Sequence, residues 1–356
     1  MFWHEFCFFI TMLKAVFINS LLFLNIGFSA MAQDSLKTVI AEKGDGILSL
    51  LRKNDVSPYD YYDDFIKLNI INLRDSVHLY EGRVYQIPKV VVNRIQLVDS
   101  IQSQSKKTKD IKSEAFAIFG NKHKNVVEKS KRLKGNIYYL VSGHGGPDPG
   151  AMAVYAKKAI AEDEYAYDIT LRLAKELLGH GATVYIIIRD ENDGIRDDRI
   201  LEIDRDELAY PKETIPLNQL ARLKQRVTII NDLYNTHKGA YQRLIVTHVD
   251  SRSKGQNIDV FFYHHEKSTN GKKLAESIHN TFQKKYKKYQ PNRTYAGTFG
   301  HRTELYLVRK TYPAMAYIEI GNIKNKKDQR RILDPDNRQA LAKWIGEGVL
   351  LDFEEE

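Results

Sequence analysis

Over residues 135–353 short apolar runs alternate with longer amphipathic ones, and this alternation restricts the fold more than any other feature. The runs at 137–141, 183–188, 243–247, 258–263 and 314–318 read as strands. Segments 162–178, 217–234, 271–286 and 337–351 carry apolar residues at helical spacing. Such alternation leads to one α/β domain, with a mixed or mostly parallel sheet and helices on both faces. Ligand sites in these sheets lie at the carboxyl ends of the strands, so chemistry is sought there.

The rest of the chain divides in three. Residues 12–32 read MLKAVFINSLLFLNIGFSAMA, with Lys14 before an apolar run and Ala30-Met31-Ala32 ahead of Gln33. A basic residue, an apolar stretch and an A-x-A site make a secretory signal peptide, assigned to 1–32. Asn19 and Asn25 interrupt the apolar run and weaken a spanning helix, so no stable membrane insertion is expected after cleavage. Residues 36–89 form a compact module. Residues 90–134, rich in Lys and Ser, read as a polar linker.

The single cysteine, Cys7, falls in the leader. Disulfides, a cysteine-zinc site and a cysteine nucleophile are therefore excluded beyond it, and any metal must be held by His and carboxylates. The net charge of +9 suits an anionic polymer. An export signal points that charge at the cell envelope rather than at nucleic acid.

The strand ends carry a consistent set. The run at 137–141 leads into Gly143-His144-Gly145-Gly146-Pro147-Asp148-Pro149-Gly150, and the prolines exclude a dinucleotide loop opening a helix. The run at 243–247 ends in His248, the run at 314–318 in Glu319, and Glu162 and Glu164 begin the first helix. Two His and a Glu plus water make a catalytic zinc site, and a further carboxylate can move protons. His264, His265 and His301 also follow strand-like runs, but they read as surface residues. Arg226 reads as a structural ion-pair partner.

These residues resemble a known family. GHGGPDPGA (143–151), EDEYAYDITLRLAKEL (162–177), LARLKQRV (220–227), LIVTHVDS (244–251) and LYLVRKTYPAMAYIEIGNIKN (305–325) are similar, in order, to the elements of type-3 zinc N-acetylmuramoyl-L-alanine amidases. The resemblance implies that His144 and His248 are zinc ligands and that Glu319 is the general base. For the third ligand an ungapped helix gives Glu162, with Glu164 as the alternative. Two departures stand out: Val141-Ser142 where the family has Asp-Pro, and Asp250 where it has Asn.

In the small module, Lys43-Gly44-Asp45, Lys67-Leu68-Asn69 and Glu81-Gly82-Arg83-Val84-Tyr85-Gln86-Ile87-Pro88 resemble a LysM domain, a βααβ fold that binds N-acetylglucosamine-containing glycans. Together the resemblances imply a secreted, periplasmic or envelope-associated hydrolase. It would use Zn2+ to cleave peptidoglycan between N-acetylmuramic acid and L-alanine. Alternatives are a zinc carboxypeptidase-like peptidase acting on cell-wall peptides, and a non-catalytic peptidoglycan-binding protein. The sequence names no activating partner. The charged segment 190–216 is longer than the family's usual link and is expected to border the substrate groove.

Overall fold

The computed structural model describes residues 36–43, 45–56, 58–74, 78–89, 113–250 and 257–354. The expected leader and the first part of the expected linker lie outside these residues. The chain divides into two compact units, 1–101 and 102–356.

In the first unit, strand β1 (Thr38–Ile40) pairs antiparallel with β2 (Val84–Gln86), and helices α1 (Ile47–Lys53) and α2 (Pro58–Asn69) lie between them in sequence. This is the βααβ order expected. Leu50, Leu51, Phe65 and Tyr85 are fully buried and make the core. Asn69 ends α2 and is also buried. Its Nδ2 donates to the Gln86 carbonyl at 2.8 Å, and its Oδ1 accepts from the Gln86 amide at 2.7 Å. A buried amide must be paired, and this one fastens the helix end to β2.

The second unit is built on a six-stranded sheet in the order β14-β13-β15-β12-β5-β8. The strands are β5 (Ile137–Ser142), β8 (Thr183–Ile186), β12 (Gln242–Asp250), β13 (Phe261–His264), β14 (Thr298–His301) and β15 (Ala314–Asn322). Neighbours run parallel except β13 and β15, which are antiparallel, so the sheet is mixed and mostly parallel as expected. The period-2 geometry of a strand sends alternate residues to opposite faces. Ile137, Tyr139 and Val141 of β5 join Leu244 and Val246 of β12 in one core. Helix α4 (Gln219–Thr236), through Leu223, Val227 and Ile230, and the short α6 (Tyr306–Lys310) cover that face. On the other face α3 (Glu162–Gly179) contacts β5 and β12, α5 (Thr269–Tyr289) contacts β15, and α8 (Pro335–Glu354) packs on both helices. Helix α7 (Lys326–Leu333) follows β15. No helix among the described residues is long and apolar enough to cross a membrane.

The linker expected over 90–134 is corrected from residue 113 onward. Strands β3 (Ser113–Ala115) and β4 (Asn125–Val127) pair antiparallel within the second unit. The many lysines face outward, while Phe119, Val126 and Leu133 are buried. The amides of Lys129 and Leu133 donate to the carbonyls of Gly179 and His180, at 2.6 and 3.0 Å. Those carbonyls lie at the carboxyl end of α3, where a helix leaves acceptors without intrahelical partners. Widely spaced apolar residues and a helix end to satisfy are enough to anchor a segment whose composition reads as disordered.

Candidate active site

Three chain turns converge at the carboxyl edge of the sheet. The first leaves β5 through residues 143–150. His144 adopts φ +64°, a left-handed conformation that costs a non-glycine residue about 1–3 kcal/mol and is found where surroundings enforce it. Glycines make room for it. A Cβ on Gly143 would stand 2.3 Å from the His248 ring, and one on Gly150 would stand 2.7 Å from the His144 ring and 2.8 Å from Glu162 Oε2. The second turn is the hairpin of β6 (Met152–Tyr155) and β7 (Lys158–Ala161), which runs directly into α3 at Glu162. The third is the end of β12, where His248 lies beside Glu319 of the parallel strand β15.

The result is a compact donor set. Glu162 Oε2 lies 3.3 Å from His144 Nε2, and Glu162 Oε1 lies 2.9 Å from His248 Nδ1. One atom from each residue falls within 4.8 Å of the others. Backbone amides of Ala151 and Val249 donate to the same carboxylate at 2.9 and 3.0 Å, fixing its plane. The two imidazoles meet edge to face with centroids 5.0 Å apart, and His248 stacks on Tyr317 at 4.8 Å. Burial opposes charge on Glu162, but hydrogen bonds from His144 and His248 hold its carboxyl well below the usual range. Burial depresses His248, favouring the neutral ring, which is the form that ligates metals. His144 is also desolvated, yet Asp148 and Glu162 push it up to about 10.

Glu319 and Asp250 line the same cleft, which encloses about 660 Å³. Tyr263, Arg302 and Tyr306 also line it. Of the two glutamates weighed from the sequence, Glu162 stands between the imidazoles. Glu164 points elsewhere: its carboxylate takes Arg196 at 2.9 Å and the Asp204 amide at 3.1 Å. His264 is buried against Phe299, and His301 pairs with it across β13 and β14. Neither lines the cleft, nor does His265. Arg226 differs from the expected ion-pair role, since it donates to the His144 carbonyl and so braces the turn.

Two further neighbours of the donor set are marked by no strand end or helix start in the sequence. Asp148 accepts from His144 Nδ1 at 3.1 Å, and Arg222 holds the same carboxylate oxygen at 2.6 Å. The signal available was the His-x-x-x-Asp spacing inside a turn whose glycines and prolines leave those two side chains few alternatives. The segment 190–216 also departs from expectation. None of its residues lines the cleft. It folds instead into β10 (Leu208–Ala209) and β11 (Glu213–Thr214) beside β9 (Ile188–Arg189), with Leu201, Ala209 and Ile215 buried. Ile215 would stand 3.1 Å from a Cβ on Gly146, so the segment supports the His144 turn from behind.

The family model for N-acetylmuramoyl-L-alanine amidases matches residues 139–350. The probable cell wall amidase LytH of Staphylococcus aureus is 27% identical over 236 residues, which cover 64% of this chain and 62% of LytH. Among solved structures, the CwlD amidase of Clostridioides difficile, in complex with the GerS lipoprotein, aligns at 20% identity and a TM-score of 0.48. That alignment covers 63% of this chain and all of CwlD (100%). AmiC2 of Nostoc punctiforme aligns at 19% identity and a TM-score of 0.43, over 64% of this chain and 99% of AmiC2. The structural likenesses are too low to carry the assignment, which rests on the family match across more than half of the sequence. By that match the chain belongs to the N-acetylmuramoyl-L-alanine amidase family.

Proposed function

We propose that this chain hydrolyses the amide bond between N-acetylmuramic acid and the L-alanine of the peptidoglycan stem, with zinc held by His144, Glu162 and His248. The observation that carries the reading is the convergence of that donor set with Glu319 in one cleft. The donors fit zinc in kind, being imidazole nitrogen and carboxylate oxygen. They also fit in spacing: the 3.3 Å between His144 Nε2 and Glu162 Oε2 matches the edge of a tetrahedron with bonds of about 2 Å. Bound there, the ion would supply Lewis acidity toward a carbonyl oxygen and toward water.

The chain's own residues do the remaining work. Glu319 takes the proton from the attacking water and returns it to the leaving amide nitrogen, which departs as the amino group of alanine. Asp148 fixes the His144 ring by holding Nδ1, leaving Nε2 to face Glu162. Arg222 holds Asp148 in turn. Tyr263, Arg302 and Tyr306 in the cleft lining offer ring faces and a guanidinium to a sugar–peptide substrate.

The first unit acts as a LysM-like glycan anchor, residues 1–32 as an export signal, and the chain works in the cell envelope on peptidoglycan. The LysM motifs and the βααβ order support the anchor, and the leader composition supports export. The test is Glu319→Gln, which keeps the side chain's shape and removes its basicity. The expected variant binds zinc like the wild type and loses roughly 10²–10⁴-fold in turnover on soluble muropeptides. Turnover within a fewfold of wild type would move the base to another residue.

A further inference from the structure

Behind the His144 turn lies a second set of donors that amide hydrolysis does not use. Asp163 and Glu164 follow Glu162 in the first turn of α3, and Glu207 reaches them from just before β10. One carboxylate oxygen from each lies within 4.8 Å of the other two. All three residues are buried, with 1%, 2% and 5% of their surface exposed. Carboxylates this close and this dry repel one another unless a proton or a cation joins them.

The protein groups around them fall short of that. Glu164 takes Arg196 at 2.9 Å and the Asp204 amide at 3.1 Å. Glu207 Oε2 takes the Gly146 amide at 2.6 Å, and Asp163 Oδ1 takes the Glu164 amide at 3.0 Å. Asp163 Oδ2 has no hydrogen-bond partner among the described residues, although its residue is almost wholly enclosed. Arg196 is shared, because it also bonds Asp193 of a second acidic set, Asp190, Asp193 and Asp204. A buried carboxylate with one oxygen lacking a donor, close to two further carboxylates, has the form of a site for a cation.

The donors select the kind of cation. They are all oxygen, with no imidazole or sulfur, which suits a hard ion rather than zinc. Calcium binds oxygen at about 2.3–2.6 Å, so ligands on opposite sides of the ion stand up to about 5 Å apart. The observed spread lies within that span. Magnesium needs a tighter, near-octahedral shell and keeps its waters, which an enclosed set of three carboxylates accommodates poorly.

We propose that Asp163, Glu164 and Glu207 bind a calcium ion, separate from the His144–Glu162–His248 set. The ion joins the start of α3 to the 190–216 segment. Through the Glu207 bond to Gly146 it also steadies the turn that carries His144. The segment's acidity is then ligand chemistry rather than surface decoration.

The test uses the full chain, stripped of metal on a chelating resin, reloaded with one equivalent of zinc and titrated with calcium chloride by calorimetry. Melting is followed with and without excess calcium or magnesium chloride. The expected result is about one calcium per chain and a calcium-specific rise in Tm of about 5 °C. Glu207→Gln and Asp163→Asn should bind calcium at least ~10-fold more weakly, because each removes a charged donor. His248→Ala, which removes a donor only from the other set, should retain calcium binding. Absence of calcium binding by the wild-type chain overturns the proposal whether or not the acidic variants fold. So does an equal response to magnesium, an unchanged affinity in Glu207→Gln, or loss of calcium binding in His248→Ala.

Discussion

Asp148 shows how a residue away from the reacting atoms governs the site. The His144 ring has two nitrogens, and only a partner on Nδ1 leaves Nε2 facing Glu162. Arg222 keeps that partner in place from α4, so the turn, the helix and the donor set are mechanically one unit. Asp148→Asn keeps the shape and weakens the acceptor. It is expected to lower zinc affinity by about 10–100-fold, measured by competition with a chromogenic chelator. Unchanged affinity would show that the glycine packing alone orients the ring. At this scale the sequence was informative where chemistry and position coincide. His144 follows β5, and His248 and Glu319 lie near the carboxyl ends of β12 and β15, so the alternation of strands and helices locates these three; it leaves Glu162 and Glu164 both open at the helix start, and the family resemblance favours Glu162. Asp148 and Arg222 were less legible because their roles depend on how a glycine-rich turn folds back onto α4, which no periodicity records.

At the scale of elements, the boundaries of α3, α4, α5 and α8 agree with the apolar spacing to within a few residues; each apolar run overlaps a strand, but β12 and β15 run three and four residues past theirs and β13 starts three residues later. Two segments behaved otherwise, both because tertiary contacts override composition. Residues 113–134 dock on the end of α3, and 190–216 packs behind the His144 turn rather than along the cleft. A charge cluster joins these regions. Asp197 binds His123 and Lys122 from the 113–134 region and Arg172 from α3. Hydrogen bonds from His123, then Lys122 and Arg172, hold its carboxyl well below the ordinary carboxylate range, against the effect of burial. A carboxyl depressed in the folded state adds stability above its unfolded pKa of about 4, and loses it as the pH falls toward the folded value. Asp197→Asn is therefore expected to destabilise the protein by roughly 1–3 kcal/mol at neutral pH. The gap from wild type should shrink steadily below about pH 4. Denaturant melts at pH 7 and below pH 4 measure this, and a gap that stays constant across that range would remove Asp197 from the stabilising network.

For the whole molecule, the proposed anchor and the proposed hydrolase fall in separate compact units. An anchor raises the effective concentration of the catalytic unit on an insoluble substrate and does nothing for a small soluble one. Removal of residues 33–90 is expected to reduce retention on intact sacculi by at least ~10-fold and to leave turnover of soluble muropeptides within about twofold. Equal retention by the truncated and full chains in a pelleting assay would deny the first unit that role. An amidase is distinguished from a peptidase by which bond it breaks. Mass spectrometry of purified muropeptides after digestion by the zinc-loaded chain reads this directly. The expected products are the intact disaccharide and a free stem peptide beginning with L-alanine. Peptides shortened from the carboxyl end and still joined to the sugar would contradict it.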